Sequence, residues 1–140
     1  MNSLFWSRLH GGVTHFPIAL IFISAFFDAL GFYRKHSARQ RELKTAGYWL
    51  VILSALGCFG SVVTGLLLSQ GKIGGTGLLL RHHLAVWPAF ALILGLGTWR
   101  CLVRNNSSRR GFAIYLCVLG LACILIAVAG FFGGEMLLGA

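Results

Sequence analysis

Acidic residues are almost missing from this chain: Asp28, Glu42 and Glu135 are the only three among 140. Charged residues of both signs make up 11%, against about a quarter in an ordinary soluble domain, which excludes that class. A disulfide or haem-attachment framework is missing too. Cys58, Cys101, Cys117 and Cys123 form no CxxC pair and no c-type attachment motif, and all fall within or at the ends of apolar runs. They read as packing residues, although Cys58 and Cys117 could approach each other in a bundle. No nucleophile–base pair and no phosphate loop is present, which argues against a hydrolase or an NTPase.

What the chain has instead is apolar length. It is 57% hydrophobic, with a mean hydropathy of +0.81. The apolar residues fall into four runs of about 20 residues, enough to cross a hydrocarbon core as helices. These runs predict helices near 13–33, 46–69, 82–102 and 112–132, in one all-α, four-helix transmembrane domain spanning 1–140. The first run is too long for the apolar segment of a signal peptide, and the lone Arg8 before it is a poor basic flank. It therefore reads as a retained helix, with the Gly11-Gly12 step placing His10 ahead of it and Pro17 in its first turn.

The net charge of +9 is concentrated at one end. Arg34, Lys35, Arg39, Arg41 and Lys44 flank the first connection, and Arg100, Arg104, Arg109 and Arg110 flank the third. Only Arg8, Lys72 and Arg81 fall on the opposite side. Under the positive-inside rule, both termini and the Gln70–Arg81 connection are expected to face outward, and the loops at 34–45 and 103–111 the cytoplasm. The basic loops read as anchors to anionic lipid headgroups. Nucleic-acid binding would need basic residues interleaved with exposed aromatics on a soluble surface, and no such surface exists here.

The chain also divides into two hairpins around the glycine-rich connection GKIGGTG. HFPIAL at 15–20 resembles VWPAFAL at 86–92, and TGLLL at 64–68 is loosely echoed by AGFFG at 129–133. Two parallel hairpins related by a pseudo-twofold axis would produce such echoes. The many glycines within the runs let helices approach closely, or make room for a flat macrocycle.

Histidine carries the functional signal. His10 and His15 lie at the start of the first run, and His82 and His83 at the start of the third. With both termini outside, all four fall in one outer layer. Thr64 and Gly65 bring the second helix to that depth, and Gly130 and Glu135 the fourth. His36 lies in a basic loop and reads as solvated. Imidazole is costly in lipid and rarely sits there without a partner. A histidine from each of two facing helices is how membrane bundles hold haem b. Adjacent helical residues point about 100° apart, so His82 and His83 cannot both face one partner. The simplest pairing sets His15 against His83 as axial ligands of one haem b. His10 and His82 then serve as second-site or propionate-contacting groups; four histidines would also suffice for two haems. Arg81 and Arg8 could pair with propionates or with lipid phosphates. Zinc or copper is the alternative occupant, although neither histidine spacing is a standard ligand pair. Asp28, inside the basic end of the first helix, is a candidate proton or quinone group, or a salt-bridge partner of Arg100 or Lys44.

The stretch His10-Gly-Gly-Val-Thr-His15-Phe-Pro, with Thr64-Gly65, a histidine opening the third helix and Gly133-Gly134, resembles a bacterial membrane family, domain of unknown function 2231. That family typically has proline where Gly11 stands here, and either His82 or His83 corresponds to its third-helix histidine. Its relatives occur beside or fused to Rieske-type and c-type cytochrome domains, so the resemblance implies redox work in the membrane. The combined expectation is an electron-transfer subunit binding haem b between helices one and three, working with the bilayer, other redox subunits and a quinone. The rivals are a non-redox accessory subunit binding lipid, pigment or partner helices, and a metal-binding membrane protein. Either rival, like the carrier, fits a complex subunit better than a stand-alone enzyme.

Overall fold

A computed structural model describes residues 3–34, 38–104 and 106–138; the Lys35 and His36 readings lie outside them. Four helices follow one another, α1 (Ser3–Tyr33), α2 (Ala38–Leu68), α3 (Gly77–Val103) and α4 (Arg109–Leu138). Each is longer than its apolar run. At 1.5 Å per residue they measure about 40–47 Å, more than the ~30 Å of a bilayer's hydrocarbon core. The greatest extension is at the N-terminus, where α1 continues through Gly11-Gly12 and places Pro17 in its interior. His10 therefore belongs to the helix rather than preceding it. Near lipid, a broken turn leaves backbone groups without partners, and that cost outweighs the weak helix preference of glycine.

All four helices are long and apolar enough to cross a membrane. Only 22–33% of each apolar stretch is buried inside the bundle. The rest presents residues such as Phe16, Phe26, Leu56, Leu84 and Ile124 outward, an apolar surface that lipid covers and water would not.

Helix α1 packs on α2 and α4, and α3 on α4 and α2, so α1 and α3 lie diagonally across the bundle. The two hairpins α1–α2 and α3–α4 are the tightest pairs. Within the first, Ser54 Oγ donates to Pro17 O at 2.8 Å and Ser24 Oγ to Gly47 O at 2.9 Å. Gly57 brings the helices together here, since a Cβ on it would meet Pro17 at 3.2 Å. Gly97 does the same for α3 on α2, facing Ala55 at 3.1 Å, whereas Gly95, Gly120 and Gly130 meet nothing. Close approach explains the first group only. The α2–α3 connection turns on Gly71 and Gly77, with φ of 78° and 60°, values that favour glycine.

The core runs between Ile21, Val51, Ile93, Leu96, Phe112 and Leu119. The cysteines are all free; Cys58 and Cys123 are buried, while Cys101 and Cys117 are exposed. Cys58 on α2 and Cys117 on α4 sit on helices that do not pack together, so they do not approach each other.

Candidate functional site

Two polar layers interrupt the apolar interior. His10 and Asp28 are 18 residues apart on α1, as are His82 and Arg100 on α3. That spacing sets the layers about 27 Å apart along the helices, close to the thickness of the hydrocarbon core.

The histidine layer is built by helical phase. His10 and His15, five residues apart and both helical, point about 140° apart. His10 turns inward, where its Nδ1 lies 3.0 Å from Thr64 Oγ1 on α2. His15 is exposed and bonds back to Gly11 O one turn earlier. On α3, His82 reaches α4, with Nδ1 2.8 Å from Ala129 O. His83 is buried against the α2–α3 connection, bonded to Gly74 O at 2.6 Å, with Trp87 beside it at 6.2 Å. The structure thus turns His10 and His82 towards the interior from diagonal helices. It turns His15 and His83, the pair favoured from sequence, away from each other. Because α1 begins ten residues before its apolar run, His10 joins the helix, on a face about 140° from that of His15.

The hydrogen bonds determine which ring nitrogen carries the proton. Ala129 O can only accept, so His82 Nδ1 is an N–H. Thr64 Oγ1 donates its own proton to Gly60 O at 2.9 Å, so it accepts from His10 Nδ1–H. An imidazole held through Nδ1–H by an outer partner presents Nε2 as its metal-binding nitrogen. Glycine stands beside both rings. A Cβ on Gly65 would lie 3.0 Å from His10 Cε1, and one on Gly133 would lie 3.6 Å from His82 Cε1. The echo of TGLLL in AGFFG has a counterpart here: Thr64 and Ala129, its first residues, each hold the inward histidine of their own hairpin.

The other expected site residues fall around this layer. Arg81 is exposed and packs over Phe132 at 5.9 Å. Gly130 is exposed with open space beside it. Glu135 is half-buried near the end of α4 and makes no ion pair with another described residue. Among the described residues no three His, Cys, Asp or Glu side chains come together as a metal site, so the zinc or copper alternative has no three-ligand cage.

The second layer joins all four helices. Asp28 and Arg100, both fully buried, form an ion pair at 3.2 Å. Tyr115 of α4 donates its hydroxyl proton to Asp28 Oδ2 at 2.8 Å, and Arg100 Nη2 donates to Lys44 O of α2 at 2.5 Å. The salt-bridge reading of Asp28 holds, with Arg100 rather than Lys44 as the partner. The guanidinium also lies over the rings of Phe112 and Tyr115, at 5.3 and 5.1 Å. Sequence reasoning missed Tyr115, because an aromatic residue in an apolar run carries no periodic mark of a buried hydroxyl bond.

A family model described as predicted membrane protein (DUF2231) matches residues 7–139. No curated protein and no solved structure gives a significant match.

Proposed function

The chain belongs to the DUF2231 family of predicted membrane proteins, and from that premise we propose that it is an electron-transfer subunit holding one haem b at the histidine layer. The observation that supports this reading is the pair of inward imidazoles, His10 and His82, on diagonal helices, each held through Nδ1 by a partner on the neighbouring helix. A haem needs two such axial donors rather than a cage of three, and the donor set present suits it. His10 and His82 would hold the iron, and Thr64 and Ala129 O would orient the two rings. Arg81 would meet the propionates. When bound, the haem would supply a one-electron couple, and the chain's own residues would position it. His15, His83 and Glu135 are then polar groups at the rim of the layer. With no second facing pair among the described histidines, the reading is of one haem rather than two.

The basic loops favour both termini on the outer side of a bacterial inner membrane. That places the histidine layer at the outer face, within reach of a periplasmic redox partner.

The test is a dithionite-reduced minus air-oxidised visible spectrum of the protein purified in mild detergent. The expected result is a sharp b-type α-band, lost in His10→Ala and in His82→Ala and kept in His15→Ala. A flat spectrum from haem-supplemented, folded protein would end the proposal. The second reading, an accessory subunit without redox chemistry, rests on the same bonds seen as clamps: His10 ties α1 to α2, and His82 ties α3 to α4. It predicts a flat spectrum together with lowered thermal stability in both variants.

A further inference from the structure

Lys44 is half-buried, yet no carboxylate among the described residues pairs with it. Asp28 lies in the same layer but is committed to Arg100 at 3.2 Å and to the Tyr115 hydroxyl at 2.8 Å. Glu42, two residues before Lys44 on α2, is exposed and points about 160° away from it. These two are the only acids at the basic end of the chain. A partly buried charge without a counter-ion is costly.

What Lys44 meets instead is an aromatic face. Its stem passes α1 at Gly31, where a Cβ would stand 3.1 Å from Lys44 Cγ, and Nζ ends 4.4 Å from the Phe112 centroid. Phe112 in turn stacks on Phe32 of α1, with centroids 6.3 Å apart. The exposed Arg109, at the start of α4, holds its guanidinium over Phe32 at 5.0 Å. One pair of stacked rings at the seam of α1 and α4 thus gathers a cation from α2 and another from α4. A ring face offsets only part of a cation's lost hydration, so both charges still favour an anion. Helix α4 begins here with no acid in its first turn, and its N-terminal dipole adds to the positive field.

We infer that Lys44 and Arg109 form a binding site for the phosphate of an anionic phospholipid. The phosphate oxygens accept from Lys44 Nζ and from the Arg109 guanidinium, and the acyl chains lie along the apolar exterior of the bundle. Depth favours a lipid over a soluble anion. The Asp28–Arg100 layer lies near one boundary of the hydrocarbon core, and Arg109 stands six residues before Tyr115, about 9 Å further out along α4. Lipid phosphates occupy that interval. A zwitterionic lipid brings its own cation to the phosphate, so a lipid of net negative charge suits the site. The inference rests neither on haem at the histidine layer nor on which side of the membrane the basic end faces.

The experiment titrates the full chain in a mild non-ionic detergent with phosphatidylglycerol, and separately with phosphatidylcholine, counting bound lipid by native mass spectrometry. The expected result is one phosphatidylglycerol bound saturably, in preference to phosphatidylcholine. Lys44→Gln/Arg109→Gln should raise the apparent Kd about tenfold more than Arg39→Gln/Arg110→Gln, which removes the same charge from the same end. Lys44→Arg/Arg109→Lys, which keeps both charges, should stay near the original Kd. Arg109→Gln alone, on an exposed side chain, keeps the test available if the double variant fails to fold. An equal rise in the two neutralised double variants, equal binding of the two lipids, or release of the bound lipid by inorganic phosphate would overturn the inference.

Discussion

Asp28 and Arg100 meet at 3.2 Å with no exposure to solvent, and they come from α1 and α3, which lie diagonally across the bundle. A buried ion pair is weak evidence for stability, since burying two charges costs about what their attraction returns. Its structural consequence is positional: it ties the two hairpins across the diagonal of the bundle.

That relationship predicts an asymmetric response to mutation. Arg100→Gln leaves Asp28 buried and unpaired, and should lower unfolding stability by about 3–5 kcal/mol. Removing both charges, in Asp28→Asn/Arg100→Gln, should recover more than half of the loss. Thermal or detergent-induced unfolding of the three proteins checks this; a double variant no better than Arg100→Gln would show that the pair's geometry, not its charge balance, matters.

Gly47 is the counterpart of that pair on α2. A Cβ there would run into the Asp28 carboxylate, so Gly47→Ala must displace it and should cost about 1–3 kcal/mol. Gly120→Ala, where nothing lies within 4 Å, should be neutral or slightly stabilising, because alanine is the better helix former. Equal melting temperatures for the two variants would contradict the close α1–α2 approach at Gly47.

At the histidine layer, Thr64→Val keeps the shape and removes the acceptor for His10 Nδ1–H. The expected loss is about 1–3 kcal/mol, and Thr64→Ser should restore most of it. If haem is held as proposed, the same substitution also shifts the midpoint potential or weakens retention, because the ligand's outer hydrogen bond is gone. An identical melt and an identical spectrum would remove Thr64 from the site.

Orientation follows from the loops. In a chain with its four cysteines replaced by alanine, Thr76→Cys should react with an impermeant maleimide from outside intact cells, and Ser108→Cys only after lysis. The reverse pattern would invert the assignment and move the histidine layer to the cytoplasmic side.

Much of this was legible before any coordinates. Four runs of apolar residues between short polar connections left no other fold, and the 18-residue spacing shared by His10–Asp28 and His82–Arg100 was already written in the chain. What could not be read was helix phase at the N-terminus. The glycine pair 11–12 signalled a break, but the helix runs through it from Ser3. With 100° of rotation per residue, that extension put His10 on a helical face about 140° from His15, and the packing of α1 on α2 turned it inward. The Tyr115 bond to Asp28 was hidden for a related reason: the residues are 87 apart in the chain, and a lone hydroxyl in an apolar run has no periodicity to betray its partner.

The sequence by itself determined that this chain is a four-helix membrane bundle with histidines gathered at one end and basic residues at the other. Hydrophobic length and charge distribution are properties of composition along the chain, and the bilayer acts on them directly. Only the tertiary structure decided which imidazoles turn to the interior, which carbonyl or hydroxyl holds each Nδ1, and that Arg100 is buried against Asp28 with two donors unmet. Those outcomes depend on the rotation of four helices about their axes and on the partner each face meets, which close packing settles across the bundle rather than along it.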